Sequence, residues 1–253
     1  MTIGEASPGD LACDFEAFAK VVRTRRSVRA YSSDPVPDEV LDKCLDLALL
    51  APNSQNLEPW QFIEVRETAK LERLRRYCLS QPPAVQAPHL IVAVARPDFW
   101  RLGRRLAMEA LDRDALSVPL ITEYHDALIF KYRVLVPLMF EDGPFHVLAP
   151  LKRLILWAIG LFKIFWRFDT GRSGQTLWAT KTTALACQNL MLALRAAGYD
   201  SCAMEGFDEP RVKRLLGLPG AAHIVMVIAA GKRAEGGVAP LYRFDRNLYV
   251  QRV

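Results

Sequence analysis

The stretch RTRRSVRAY, Arg23 to Tyr31, places four arginines within seven residues and one serine among them. It then runs directly into SSDPVPDEV. Guanidiniums this close repel one another, so the segment either stays solvated or meets an anion. A nucleic-acid surface spreads its basic residues along a face, with aromatics or a recognisable reading element. This cluster is compact and no such module follows, so nucleic acid is not expected. A solvated charge run is the commoner occurrence. Ser27, however, offers a hydroxyl and a backbone N–H beside guanidinium forks, and those are the parts of a phosphate seat.

The rest of the chain sets the bounds. At 253 residues it fits one large domain or two small ones, and it can bury enough surface to need no disulfide or metal staple. A content of 51% hydrophobic and 24% charged residues is that of a globular protein. The net charge of +5 bears on solubility and anionic partners, not on fold. Cys13, Cys44, Cys78, Cys187 and Cys202 are odd in number and far apart, with no CxxC. They read as buried thiols in a reducing compartment. No signal peptide is visible in MTIGEASPGDLACDF. The four histidines, His89, His125, His146 and His223, show no metal-ligand spacing. His89 and His223 each open an apolar run and read as satisfied core or edge residues.

Hydrophobic periodicity predicts helices over Cys13–Thr24, Pro37–Leu50, Thr68–Leu79, Trp100–Leu116 and Ile121–Phe140, the last stopping near Pro137. It predicts further helices over Thr176–Ala197, capped by Gly198, and Glu209–Leu216, ended by Gly217. Strands are expected over Gln61–Arg66, Leu90–Ala95 and Ile224–Ala230, and a loop over Ala51–Pro59. The tail from Pro240 to Val253 reads as extended and basic. Few strands among many helices point to one central sheet wrapped by helices.

These residues resemble a known family. RRSVRAY, then a helix, then APNSQNLEPW (Ala51–Trp60), is similar to the N-terminal signature of the nitroreductase-like FMN-dependent oxidoreductases. CQNLMLALRAAGYDSC, MEGF, a short helix ending GLP and an apolar strand closing with GKR, all within Cys187–Arg233, resemble its C-terminal part. The resemblance implies an α+β nitroreductase-like fold, with a mostly antiparallel sheet and an intertwined homodimer carrying two FMN sites in its interface. In that reading the chain is one domain, residues 1–253, and the tail crosses to the partner's sheet.

The resemblance also implies roles. Arg25 contacts the FMN phosphate, Arg26 and Ser27 line the ribityl-phosphate side, and Arg29 reaches the pyrimidine edge. Ser54, Gln55 and Asn56 make polar contacts along the partner subunit's flavin. Glu58 stands where Gln is usual. The backbone N–H groups of Glu205 and Gly206 point at flavin N5 and O4, and Met204 packs on the ring face. A second phosphate cation is Arg243 or Lys232, in that order, with Arg233 a third candidate. Trp60 is either part of the site or simply core.

The implied activity is reduction of a small-molecule acceptor, such as a nitroaromatic or quinone, by NADH or NADPH in two half-reactions in a cytoplasmic homodimer. The flavin carries that chemistry and no acid–base side chain is required. Two alternatives stay open: another chemistry on the same fold, including reductive dehalogenation, and a non-catalytic flavin-binding or membrane-surface protein.

Leu148–Phe168, LAPLKRLILWAIGLFKIFWRF, complicates the picture. Lys152, Arg153, Lys163 and Arg167 interrupt it, so a transmembrane helix is not expected. It reads as a lid or interface segment inserted at about 140–170, roofed by Trp157, Phe162, Phe165 and Trp166. The rival is a helix lying on a membrane surface, leaving the protein peripheral to the membrane.

Overall fold

The computed structural model describes residues 14–113, 124–164 and 169–253. Cys13, Leu116, Ile121, Phe165 and Trp166 lie outside the described residues. The central sheet has four strands: β1 (Trp60–Glu64), β2 (His89–Ala95), β3 (Asp200–Met204) and β4 (His223–Gly231), in the order β1-β2-β4-β3. All three pairings are antiparallel. The register pairs Trp60 with Ala95, Ala95 with His223, and Met204 with Val227, with an irregularity at Ala93/Val94.

Side chains alternate across a strand, and here both faces are covered. Leu90, Val92 and Val94 pack with Val28, Leu74, Val212 and Val227 on one face. Ile91 and Ala93 pack with Leu41, Cys44, Leu190 and Ile228 on the other. Burying each such aliphatic side chain contributes roughly 1.5–3 kcal/mol. The first face is covered by α3 (Thr68–Tyr77) and α10 (Glu209–Leu216), the second by α2 (Asp38–Leu49) and α9 (Gly171–Ala196).

Local chemistry explains the boundaries. Asp14 caps α1 (Phe15–Thr24) by accepting the Ala17 N–H at 3.0 Å. Asp208 caps α10 in the same way through Arg211 at 3.1 Å, and Gly217 ends it at φ +64°. His89 accepts the Val36 N–H at Nε2 (3.0 Å), so Nδ1 carries the proton and faces Glu64 at 2.8 Å. His223 faces Glu209 at 3.0 Å.

The structure departs from the sequence reading at the start of α9, at Pro137 and in two elements that were not expected. The central helix α9 begins at Gly171 rather than Thr176. A Cβ on Gly174 would sit 2.5 Å from the Asp169 carbonyl oxygen, so the glycine permits tight packing in the added first turn. Pro137 does not stop its helix. α6 (Tyr124–Phe130) passes through a π-helical turn, Lys131–Leu135, into α7 (Val136–Phe140), whose first turn accommodates the proline. β3 and the short α4 (Pro82–Gln86) were not expected at all. The tail forms no strand; it is exposed, with one 3-10 turn at Arg246–Leu248.

The predicted insertion holds α8 (Ala149–Phe162). Its base is fixed. The buried Asp142 carboxylate accepts from Lys152 Nζ at 2.9 Å, Gly171 N–H at 2.8 Å and Gln175 Nε2 at 2.9 Å. Thr170 Oγ1 donates to the Ala149 carbonyl at 2.9 Å. No helix among the described residues is long and apolar enough to cross a membrane.

Candidate functional site

The arginine segment leaves α1 at Arg25 and turns extended. Ser27 bridges Ser201 of β3 in parallel, and the Val28 N–H donates to the Ser201 carbonyl at 3.1 Å. Further on, Arg29 N–H donates to Gly237 at 3.0 Å, Tyr31 bridges Arg233, and Ser32 N–H donates to the Lys232 carbonyl at 2.9 Å. The segment therefore covers the free edge of the sheet at β3. Extended backbone sends alternate side chains to opposite sides. Val28 is fully buried, while Ser27 and Arg29 are exposed and Arg25 and Arg26 half-buried.

Among the described residues, Arg25, Arg26 and Arg29 have no carboxylate within ion-pair distance. Arg26 instead donates to the carbonyls of Arg23 and Arg25, and Arg29 to that of Ser27. Arg23 faces Glu16 at 3.7 Å and is solvated. Burial raises the Cys202 thiol pKa, while the positive charges of Arg29 and Arg25 act against it. The buried Ser201 hydroxyl, opposite Ser27, has no hydrogen-bond partner among the described residues.

Three residues beyond Ser201, β3 ends at Met204 and enters the Glu205–Gly206 turn. The backbone N–H groups of Glu205 and Gly206 donate to no described atom. Gln81 Nε2 donates to the Gly206 carbonyl at 2.6 Å, and a Cβ on Gly206 would lie 3.2 Å from that nitrogen. Any larger residue there would push the Gln81 side chain aside by a few tenths of an ångström. The Met204 side chain differs from expectation. It is buried in the core beside Val28 and Leu90, so the backbone, not the thioether, faces the open side.

Of the three cation candidates, Lys232 is exposed and next to the segment through its pairing with Ser32. Arg233 is consumed by Asp200, donating to both carboxylate oxygens, while Arg195 approaches the same buried carboxylate at 3.0 Å. Arg243 lies in the exposed tail and donates to Tyr242, without contact to the arginine segment among the described residues.

Ser54, Gln55 and Asn56 occupy a different place. They form a 3-10 turn just before β1, the opposite edge strand from β3. Gln55 (φ +67°), Asn56 (φ +48°) and Glu58 (φ +46°) all adopt left-handed backbone without being glycine. Such strain persists only where surroundings over-determine it. Here they do: Asn53 Oδ1 accepts from Glu58 N–H at 3.0 Å, and the buried Tyr132 hydroxyl donates to Gln55 O at 3.0 Å. Burial raises the Tyr132 pKa, keeping the donor protonated, and raises Glu58 above its ordinary carboxylate value. Gly103 of α5 (Trp100–Leu111) abuts the loop so closely that a Cβ would meet Leu57 O at 2.5 Å. Trp60 is core, packed with Ala51 and Ala186.

Five clefts, of about 340 to 850 Å3, are lined by residues other than Arg25–Arg29. Ser54 lines one of about 340 Å3 together with Lys181 and Thr182. The arginine seat, laid outside β3, and the strained loop before β1 thus stand at opposite edges of one sheet, four strand spacings or about 19 Å apart in the sheet plane. Sequence reading missed Ser201, Gln81 and Tyr132. Each acts through a long-range backbone contact that no local pattern encodes.

A model of the nitroreductase family matches residues 22–232. A Thermus thermophilus protein named NADH dehydrogenase is 30% identical over 213 residues, covering 84% of this chain and 85% of the relative. Rat iodotyrosine deiodinase 1 is 24% identical over 227 residues, 89% of this chain and 65% of the relative. Among solved structures, an Exiguobacterium sibiricum protein described as a nitroreductase in complex with FMN superposes with a TM-score of 0.68 at 20% identity. It covers 96% of this chain and 98% of that one, a likeness of fold.

Proposed function

The chain belongs to the nitroreductase family and is an oxidoreductase of the flavin type; on that premise we propose that it binds FMN on the β3 edge and reduces a small-molecule acceptor with NADH or NADPH. One observation carries the reading. Arg25, Arg26 and Arg29, unpaired among the described residues, are pinned through Ser27–Ser201 beside the free amides of Glu205 and Gly206.

That arrangement fits the cofactor. Arg25, with Arg26 and Ser27, holds the phosphate and ribityl end, and Lys232 adds charge from the neighbouring strand end. Arg29 sets positive charge at the pyrimidine edge, where it favours the negative charge that reduction brings. The Glu205 and Gly206 amides hydrogen-bond the ring edge, and the glycine leaves the approach clear. Bound FMN supplies the two-electron chemistry; the protein supplies position and field.

The split geometry supports a homodimer. One chain's seat and its own Ser54–Asn56 loop lie at opposite edges, so a second copy brings its loop to the first copy's seat. Arg243 reaches a phosphate in this scheme only by the tail crossing between subunits. Residues 1–253 form one domain of a cytoplasmic enzyme, with 140–170 as an insertion. Donor and acceptor use the open face in turn, for nitroaromatics or quinones alike. Double-reciprocal plots with NADH or NADPH against menadione test this: parallel lines support alternate occupancy, and converging lines reject it.

A second reading is favoured by one residue. Glu58, its pKa raised by burial, stands where the family usually has Gln, and the iodotyrosine deiodinase relative has dehalogenation in its name. Halide release from a halophenol by the reduced protein would establish that reading over the first.

A further inference from the structure

We propose that α8 docks the protein onto an anionic lipid surface. This inference stands apart from the flavin reading and rests on different residues. Beyond Lys152 and Arg153 in its first turns, α8 is wholly apolar, a pattern that calls for cover. In the described chain that cover is partial: Leu156, Ala158 and Ile159 are half-buried, and the other side is open. Ala149 at its base is buried, whereas Leu154, Trp157, Leu161 and Phe162 are exposed, Phe162 to 86%, and Ile164 beyond the helix end is fully exposed. The open side runs the length of the helix, from Leu151 to Leu161, and exposure is greatest at the tip, at Phe162 and Ile164.

The charge pattern selects the occupant. No Asp or Glu occurs between Gly143 and Ile164, while Lys152, Arg153 and Lys163 do. Lys152 is spent on Asp142 at the base, 2.9 Å away. Arg153 and the tip residue Lys163 have no carboxylate partner among the described residues. The base also borders a cleft of about 850 Å3 lined by His146, Arg153 and Arg172 and by no acidic side chain. Apolar aromatic bulk flanked by cations, without acids, matches an acyl boundary overlaid by phosphate headgroups. A partner protein face would have to be both apolar and acidic to match as well. The anchoring of Asp142 to Lys152, Gly171 and Gln175 holds the helix outward against the rigid start of α9.

The test uses the full chain with its flavin. Vesicles of phosphatidylcholine alone are compared with vesicles that also contain phosphatidylglycerol, by co-sedimentation. The protein is expected to sediment with the anionic vesicles and to remain in solution with the neutral ones. The double substitution Phe162→Asp/Ile164→Asp is expected to weaken binding by at least about tenfold, and Lys163→Glu by about fivefold. Both residues are exposed, so circular dichroism and flavin content should not change. No sedimentation with anionic vesicles overturns the proposal. So does undiminished binding of the double variant. Conversion of a dimer to a monomer by that variant, measured by light scattering without lipid, also overturns it, because α8 would then be a subunit contact.

Discussion

The Val28 N–H reaches the Ser201 carbonyl at 3.1 Å, and through that bond the arginine segment is laid along β3. The same strand, three residues later, ends at the Glu205–Gly206 turn. Two motifs from opposite ends of the chain thereby share one edge of the sheet. Substituting Arg25 and Ser27 tests that edge. A hydrogen bond to a charged group is worth about 1.5–3 kcal/mol, or roughly 10- to 150-fold in affinity. Arg25→Ala and Ser27→Ala are each expected to weaken FMN binding within or below that range while leaving the fold intact. Ultrafiltration followed by flavin absorbance reads the loss. Undiminished retention in both variants would place the phosphate elsewhere.

Gly206 is coupled to Gln81. A Cβ at 206 stands 3.2 Å from Gln81 Nε2, and Gln81 alone holds the turn's carbonyl. Gly206→Ala is expected to lower kcat several-fold by displacing the turn. Gln81→Ala is expected to cost about 1 kcal/mol of stability through the lost hydrogen bond. In kcat, the double variant should lose less than Gly206→Ala alone, since removing the Gln81 side chain removes the clash. Additive effects would show that the two residues do not communicate.

Asp142 is the keystone of the α8 base. Burial pushes its carboxyl pKa up, but Lys152, the Gly171 N–H and His146 pull it down and prevail, so the net shift is downward. A lowered carboxylate stabilises fully above its unfolded value near pH 4 and loses that contribution as pH falls through the folded value. Asp142→Asn strands the Lys152 ammonium and is expected to cost roughly 3 kcal/mol. In urea titrations, the gap between wild type and variant should be full at pH 7 and shrink only below about pH 4. A gap that persists undiminished below pH 3 would contradict the ionic account.

The thiols should be quiet. Cys44, Cys78, Cys187 and Cys202 are all buried, and burial raises every one, Cys78 and Cys187 to about 12. At pH 8 they are almost wholly protonated and shielded. Ellman's reagent is expected to find none of these four fast-reacting in the native protein, hence at most one fast thiol of the five, and all five after denaturation. A second fast-reacting thiol in the native state would mean that the core opens readily.

Much of this was legible in the sequence, for identifiable reasons. α2 and α10 show their apolar faces at helical spacing, α10 between an Asp208 cap and Gly217, and β2 and β4 are unbroken apolar runs. β3 was hidden because DSCAM mixes small and polar residues; its strand character comes from β4 on one side and the arginine segment on the other. The start of α9 was hidden because glycines that local propensity counts as breakers are there to admit Asp169 and Ala149. At the site, the residue types carried the phosphate reading, and the family resemblance supplied the roles. Burial of Met204 and the capture of Arg233 by Asp200 are tertiary facts, and no local pattern announces them.

The central claim is that an FMN seated on Arg25–Arg29 accepts electrons from a nicotinamide donor. The most direct test is the visible spectrum of the purified protein, recorded before and after anaerobic addition of NADH or NADPH. A bound flavin that bleaches with at least one donor is the predicted result. A protein that takes up no flavin when FMN is supplied, or whose bound flavin neither donor bleaches, would contradict the account.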